Sequence, residues 1–343
     1  MPEGGPILDA DLQPLSTFRL PARAGQLLIV DRAEQLEQLA NFDGPELILG
    51  GGSNTVFLDD FRGRILLSRM RGLRFESIFG RDEVLARVAA GESWHGLVRR
   101  CLDLDLHGIE NLALIPGSTG AAPIQNIGAY GVELDQVFDS LTAWDRQRSR
   151  WVELDRSDCS FGYRDSLFKS IEPDRFFITE VRLRLSRRFQ PCLDYSSLRD
   201  ALTHAHIEQP TPRQLLATIL RLRRHRLPDP ARLANAGSFF KNPIVGQRIA
   251  EHALHQLPEL PHWRMPDGRF KLAAGAMIEH LGYKGKCLDG IGVYQNHALV
   301  LINHGGGNAQ ALRSLIEQIT SAVSDEFRVL LEPEPRLIEP SRA

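Results

Sequence analysis

Cysteine is scarce in this sequence and poorly placed for chemistry: Cys101, Cys159, Cys192 and Cys287 are far apart and form no C-x-x-C pair. That spacing excludes a zinc ribbon and a redox dithiol. Cys101 falls on the apolar face of a predicted helix with Trp94, Leu97 and Val98, where a packed thiol is expected. The eleven histidines are scattered. His252 and His255 share a predicted helix face but have no third ligand at suitable spacing, so no metal site is expected. Neither sign of charge is in excess: 41 Lys and Arg against 43 Asp and Glu leave a formal charge of −2, without the basic surplus of a dedicated nucleic-acid binder. No apolar run approaches the roughly 18 residues of a membrane span. The N-terminal MPEGGPILDADLQPL lacks the positive and apolar regions of a signal peptide, so a cytoplasmic protein is expected. Internal repeats and low-complexity tracts are absent too.

What remains is an ordinary globular composition, 43% apolar over 343 residues, enough for about two or three domains. One stretch stands out. Residues 108–131, GIENLALIPGSTGAAPIQNIGAYG, hold five glycines, two prolines and a single charge, Glu110, in a chain that is 24% charged. Gly117 and Gly120 can take positive φ and turn successive N–H groups onto an anion. Gln125 and Asn126 add amide groups without the desolvation cost of a charge. A solvated loop would carry more charge and fewer apolar residues, so this stretch reads as a ligand cradle. A second glycine turn, GGGSN at 50–54, follows the short β-like run ELIL. It fits neither a dinucleotide-binding fingerprint nor a P-loop, and reads either as a tight structural turn or as an anion site. Two such turns can hold two ends of one long ligand.

Elsewhere, strands are predicted at 64–68, 83–89, 141–144, 176–185 and 298–302, and a short one closes the arm at 15–30. Helices are predicted at 33–40, after Ser93, from Thr211-Pro212 to Arg226, at 245–257, at 271–281 and after Asn308. Residues 186–226 are Arg-rich, and Arg221, Arg223, Arg224 and Arg226 read as dipole complementation on a solvated helix end, from which an anion can recruit one or two. The character changes at roughly 205–228, where a domain boundary is expected. NAGSFFKNP at 235–243 gathers a hydroxyl, an ammonium and an amide between aromatics, and two prolines hold Glu334 on stiff, extended backbone.

GGGSN, IPGSTGAAPIQNIGAYG, FGYRDSLFK, NAGSFFKNP and LEPEPR occur in this order between about Leu15 and Ile338. With them the chain closely resembles the UDP-N-acetylenolpyruvoylglucosamine reductase family, flavoenzymes of bacterial peptidoglycan synthesis. Its length and LDYSSL around Tyr195 are similar to the longer of the family's two types. The resemblance implies an α+β fold: an FAD-binding region of the vanillyl-alcohol-oxidase (PCMH) type made of two subdomains, 1–75 and 76–215, and a C-terminal α+β substrate-binding domain, 216–327. The tail, 328–343, would return to the first subdomain.

The resemblance also implies non-covalent FAD, held by Gly50, Gly51, Gly52, Ser53 and Asn54 in one turn. In the other it would be held by Pro116, Gly117, Ser118, Thr119, Gly120, Gln125, Asn126, Gly128, Ala129 and Gly131. NADPH would supply a hydride to the flavin, which would pass it to C3 of the enolpyruvyl group; a proton would then be needed at C2. Arg164, from FGYRD, would hold the substrate carboxylate through both oxygens. Glu334, from LEPE, would share that polarisation, and Ser238 would give the proton to C2. The three come from distant segments and must converge over the ligand. Read singly, they have plainer roles as an ion pair with Asp165, an exposed carboxylate and a turn hydroxyl.

Tyr130, Tyr195, Arg226, Lys241, Asn242 and Trp263 would contact substrate. Three positions depart from the family: Arg226 where lysine is common, Trp263 where a tyrosine closes over substrate, and His297 where glutamine is expected. The implied partners are the two small molecules, NADPH and the enolpyruvyl nucleotide sugar, with no nucleic acid, membrane or obligate protein. Two other readings fit the residues: a flavin oxidase of the same fold, and a nucleotide-binding module without redox chemistry.

Overall fold

A computed structural model describes residues 5–39 and 42–339. The chain divides into two compact units. The first takes Met1–Ala10, Ala24–Gly51 and Arg62–Arg223; the second takes Asp11–Arg23, Gly52–Phe61 and Arg224–Ala343.

Two larger sheets and a two-stranded ribbon, Gly128–Ala129 with Val132–Glu133, build the first unit. One has the order Ile7–Asp11, Arg23–Val30, Phe61–Ser68, Glu46–Leu49, with its last two strands parallel. The other, antiparallel, runs Arg150–Asp155, Phe138–Asp145, Phe176–Ser186, Glu83–Ala89, Leu73–Ser77. The alternation read in 83–89 is the observed one, with Val84, Ala86 and Val88 buried on one face. Helix α1 (Trp94–Asp103) starts where Ser93 caps it: the hydroxyl accepts the Gly96 N–H at 3.3 Å. Its buried residues, Trp94, Leu97, Val98, Cys101 and Leu102, follow the helical period and join the core under the second sheet. Helices α2 (Ser196–His204) and α3 (Pro212–Arg226) follow, and Leu215, Leu216 and Ile219 of α3 enter the same core.

The helix expected at 33–40 is only a 3-10 turn, Ala33–Gln35, and Ala40 lies outside the described residues. The Gln35 side chain folds back to accept the Asp31 and Arg32 N–H groups at 2.9 and 3.0 Å. Leu36 is the one apolar side chain fully buried there among the described residues, too little to hold a longer helix on the core.

In the second unit Ala234–Ser238 pairs with Val300–Asn303, which continues into Ile291–Val293 and Cys287–Leu288. A three-stranded sheet joins Ile244–Val245, Phe270–Leu272 and His262–Arg264, and Arg336–Ile338 runs parallel to Thr55–Phe57. Helices α4 (Gln247–Gln256), α5 (Ala274–His280) and α6 (Ala309–Phe327) close the core. Asn308 caps α6 by accepting the Ala311 N–H at 2.8 Å, as its sequence predicts. The helix expected at 271–281 starts later, at Ala274. Residues up to Leu272 pair as a strand, and the Asn242 side-chain oxygen accepts the Ala274 N–H at 3.0 Å, setting the helix start.

Candidate active site

The cradle of the first unit is anchored on α1. Trp94 N–H donates to Gly117 O at 3.1 Å, Thr119 N–H to Glu92 O at 2.8 Å and Gly120 N–H to Ala90 O at 2.8 Å. The indole N–H of Trp94, itself buried, donates to Leu112 O at 2.9 Å. Glu110, the cradle's single charge, is turned inward: it accepts from Gly108 N–H at 2.8 Å and pairs with His107 Nδ1 at 2.8 Å, both side chains buried. Its charge is therefore satisfied inside the unit and the ligand-facing backbone stays neutral.

The two glycine segments meet. A Cβ on Gly51 would lie 2.7 Å from Gly117 Cα, and one on Gly50 would lie 2.6 Å from Ser118 Oγ. A Cβ on Gly120 would lie 2.4 Å from Ala90 Cβ. These glycines let backbone approach backbone, a purpose that spacing alone does not reveal. Ser118 Oγ is buried with no hydrogen-bond partner among the described residues. Asn126 takes φ 44° and spends its amide internally, donating to Glu133 Oε2 and Gly162 O and accepting from Asp135 N–H. Gln125 Oε1 accepts from Lys169 Nζ at 3.4 Å.

Arg164 sits in a two-residue turn closed by Gly162 and Asp165, with φ 55°. Its guanidinium donates to Gly128 O at 2.7 Å and lies beside the Tyr163 ring, so it is aimed at the end of the cradle. The Asp165 carboxylate accepts from Ser170 Oγ and Ser166 N–H. Tyr130 (φ 50°) stacks edge-on with Tyr195, ring centres 5.3 Å apart, and Asn111 Nδ2 donates to Tyr130 O at 2.8 Å. Arg223, one of the four arginines that read as a solvated helix end, is turned inward: burial pushes its pKa down, and Nη2 donates to Leu114 O at 3.3 Å. No sequence signal separated it from its neighbours.

In the second unit Ser238 ends the strand Ala234–Ser238, after Gly237 at φ 72°. The tail runs back against the next residues: Glu334 N–H donates to Phe239 O at 2.8 Å, Lys241 N–H to Glu332 O at 3.0 Å, and Phe240 bridges Pro333. Two of the three expected catalytic residues, Ser238 and Glu334, are thus one backbone hydrogen bond from adjacency. Asn54 ties in the glycine turn by donating to Glu334 O at 3.3 Å and accepting from Arg336 N–H at 2.9 Å. Gly52 is confined: at φ 62°, a Cβ there would lie 1.7 Å from Leu15 O. Lys241 Nζ pairs with Glu332 at 3.0 Å, and Arg226 ends α3. Trp263 stands exposed on its strand with Lys271 Nζ 5.4 Å from the ring centre.

A family model described as "FAD binding domain" matches residues 31–155, and one described as "UDP-N-acetylenolpyruvoylglucosamine reductase, C-terminal domain" matches residues 229–338. The UDP-N-acetylenolpyruvoylglucosamine reductase of Pseudomonas aeruginosa is 48% identical over 330 residues, covering 95% of this chain and 97% of its own. That of Ralstonia nicotianae is 46% identical over 329 residues, covering 94% and 96%. The chain belongs to the UDP-N-acetylenolpyruvoylglucosamine reductase family. A crystal structure of the reductase from Thermus caldophilus, 21% identical, covers 98% of both chains with a TM-score of 0.67, which shows the shared fold. The α+β architecture with an FAD-binding region and a C-terminal domain is the one expected from the sequence.

The cradle suits FAD. It offers an unpartnered buried hydroxyl at Ser118 and backbone too tightly packed for side chains at Gly50 and Gly51, and its one carboxylate is turned away. A diphosphate would be met by neutral donors, as at other backbone anion sites.

Proposed function

We propose that this chain reduces the enolpyruvyl group of UDP-N-acetylenolpyruvoylglucosamine to the lactyl ether of UDP-N-acetylmuramate, with NADPH as reductant. The FAD region would take 1–75 and 76–215, the substrate domain 216–327, and the tail 328–343 would serve the first subdomain. Pairing of Arg336–Ile338 with Thr55–Phe57 supports a return of the tail to the 1–75 segment, at residues that belong to the second compact unit. The reaction would run in the cytoplasm on small molecules alone. The observation that carries the reading is the pairing of Glu334 N–H with Phe239 O, which sets the backbone of the LEPE glutamate beside the residue that follows Ser238.

Bound FAD supplies hydride transfer from NADPH to C3 of the enolpyruvyl group. Arg164 binds the substrate carboxylate, and its permanent charge stabilises electron density moving toward that group. Its bond to Gly128 O orients the fork. Glu334 hydrogen-bonds the same polarised group from a stiff, proline-flanked segment. Ser238 donates its proton to C2. A serine hydroxyl is a weak acid, so this transfer requires a strongly basic carbon held within hydrogen-bond reach. Lys241 and Arg226 neutralise the diphosphate, Asn242 and Tyr195 contact the nucleotide sugar, and Trp263 offers a flat face with an N–H donor where the family has a phenol. Asn126 shapes the cradle and leaves the hydroxyl and N–H groups to meet FAD.

The test is spectroscopic. Purified protein should be yellow, bleach on adding NADPH under argon, and recover colour on adding the enolpyruvyl substrate. Recovery on oxygen but not on substrate would replace the reductase with an oxidase. Protein that stays colourless after incubation with FAD would remove both.

A further inference from the structure

We infer that the outer edge of the strand Leu73–Ser77 is a docking surface for a second copy of this chain, joining two five-stranded sheets edge to edge about a two-fold axis at Phe75. This strand ends the antiparallel sheet of the first unit, and among the described residues no strand borders its far side. Its inner side is fixed by the hairpin with Glu83–Ala89, in a register that runs from Leu73 opposite Val88 to Ser77 opposite Val84. Ala89 N–H donates to Gly72 O at 2.9 Å and Ile78 N–H to Glu83 O at 3.1 Å, so the even-numbered residues between them turn their backbone groups inward. By alternation the N–H and C=O groups of Leu73, Phe75 and Ser77 point to the open edge.

Open edges are ordinarily blunted by like charges, proline or a bulge. This one has no proline, and its charges, Arg74 and Glu76, are of opposite sign. An antiparallel pairing about Phe75 sets Phe75 against Phe75, and Leu73 against Ser77, as hydrogen-bonded pairs. Arg74 then stands directly opposite the second copy's Glu76 on both sides of the axis, in the closer, non-hydrogen-bonded positions where opposite charges attract. Moving the axis to Arg74 or to Glu76 sets like charges face to face, so the charges select the register. Both side chains are exposed: Arg74 has no ion pair among the described residues, and Glu76 lies 3.7 Å from Arg87. On the opposite face of the strand, a groove of about 160 Å³ is lined by Phe75, Ser77, Val84, Leu104, Leu106 and Arg187. The second copy's Leu73, set opposite Ser77, borders that groove. Leu104, just past α1, and Phe79, at the hairpin tip, are exposed apolar side chains beside the same edge.

A five-residue edge is small for a specific interface, so the pair should be weak, with a Kd on the order of 10 µM. The experiment is sedimentation velocity of the FAD-loaded protein from about 1 to 200 µM, across which monomer should give way to dimer. Arg74→Glu and Glu76→Arg should each raise the Kd at least about tenfold, because each sets like charges opposite one another. An equimolar mixture of the two variants restores opposite charges and should associate within about threefold of the unaltered Kd. In the unaltered protein, exchange of the Leu73, Phe75 and Ser77 amides should slow as concentration rises. A protein that stays monomeric throughout, association undiminished in either variant, a mixture no tighter than its components, or amide exchange at this edge independent of concentration would each overturn the inference.

Discussion

His297, in the loop before Val300–Asn303, makes the stability of the fold depend on pH. An exposed imidazole takes up a proton near pH 6.5, whereas the folded one, held down chiefly by burial, does so only at about 4. Between those values the unfolded chain binds more protons than the folded one, so stability present above pH 6.5 is lost as pH falls toward 4. The full effect of this group is about 3 kcal/mol. His297→Gln should flatten that part of the curve: its midpoint urea concentration should fall less than that of the unaltered protein between pH 6.5 and 4.5. Equal falls would show that His297 titrates normally. Residue identity made Ser238, Arg164 and Glu334 legible in the sequence because each sits inside a distinctive motif. Arg223 and the internal pairing of Glu110 with His107 were not legible, because burial is set by a partner 109 residues away or by side-chain direction.

At the level of elements, the glycine turns divide the work. Gly51 is where the first turn presses on Gly117, so Gly51→Ala drives a Cβ into backbone and must displace the cradle, at about 1–3 kcal/mol. The folded protein should persist and its FAD Kd, read by flavin fluorescence on dilution, should rise at least about tenfold. Gly52→Ala should instead abolish soluble folded protein, since its Cβ would overlap Leu15 O at 1.7 Å and its φ of 62° suits glycine. Retained FAD affinity in Gly51→Ala would mean that the contact with Gly117 does not shape the seat. Helices with long apolar stripes, such as α1 and α6, were readable from period and cap alone. The segments at 33–40 and 271–281 were not: there a glutamine side chain and a strand pairing, both matters of tertiary context, decided the outcome.

At the scale of the whole molecule, the order of five motifs carried the fold class, and the family matches agree with it. Interleaving was less legible. Residues 11–23 and 52–61 belong with the C-terminal segment, a grouping made by pairings such as Thr17 Oγ1 with Asn235 O at 2.7 Å and Arg336–Ile338 with Thr55–Phe57. Sequence spacing carries no mark of contacts that distant. The central claim is that cofactor reduction and substrate protonation are separate tasks, with Ser238 serving only the second. Anaerobic stopped-flow spectroscopy of Ser238→Ala measures both. Bleaching by NADPH should proceed within about threefold of the unaltered rate, while return of colour on adding the enolpyruvyl substrate should slow by on the order of 10² to 10⁴. Equal slowing of both phases, or none in the second, would contradict it.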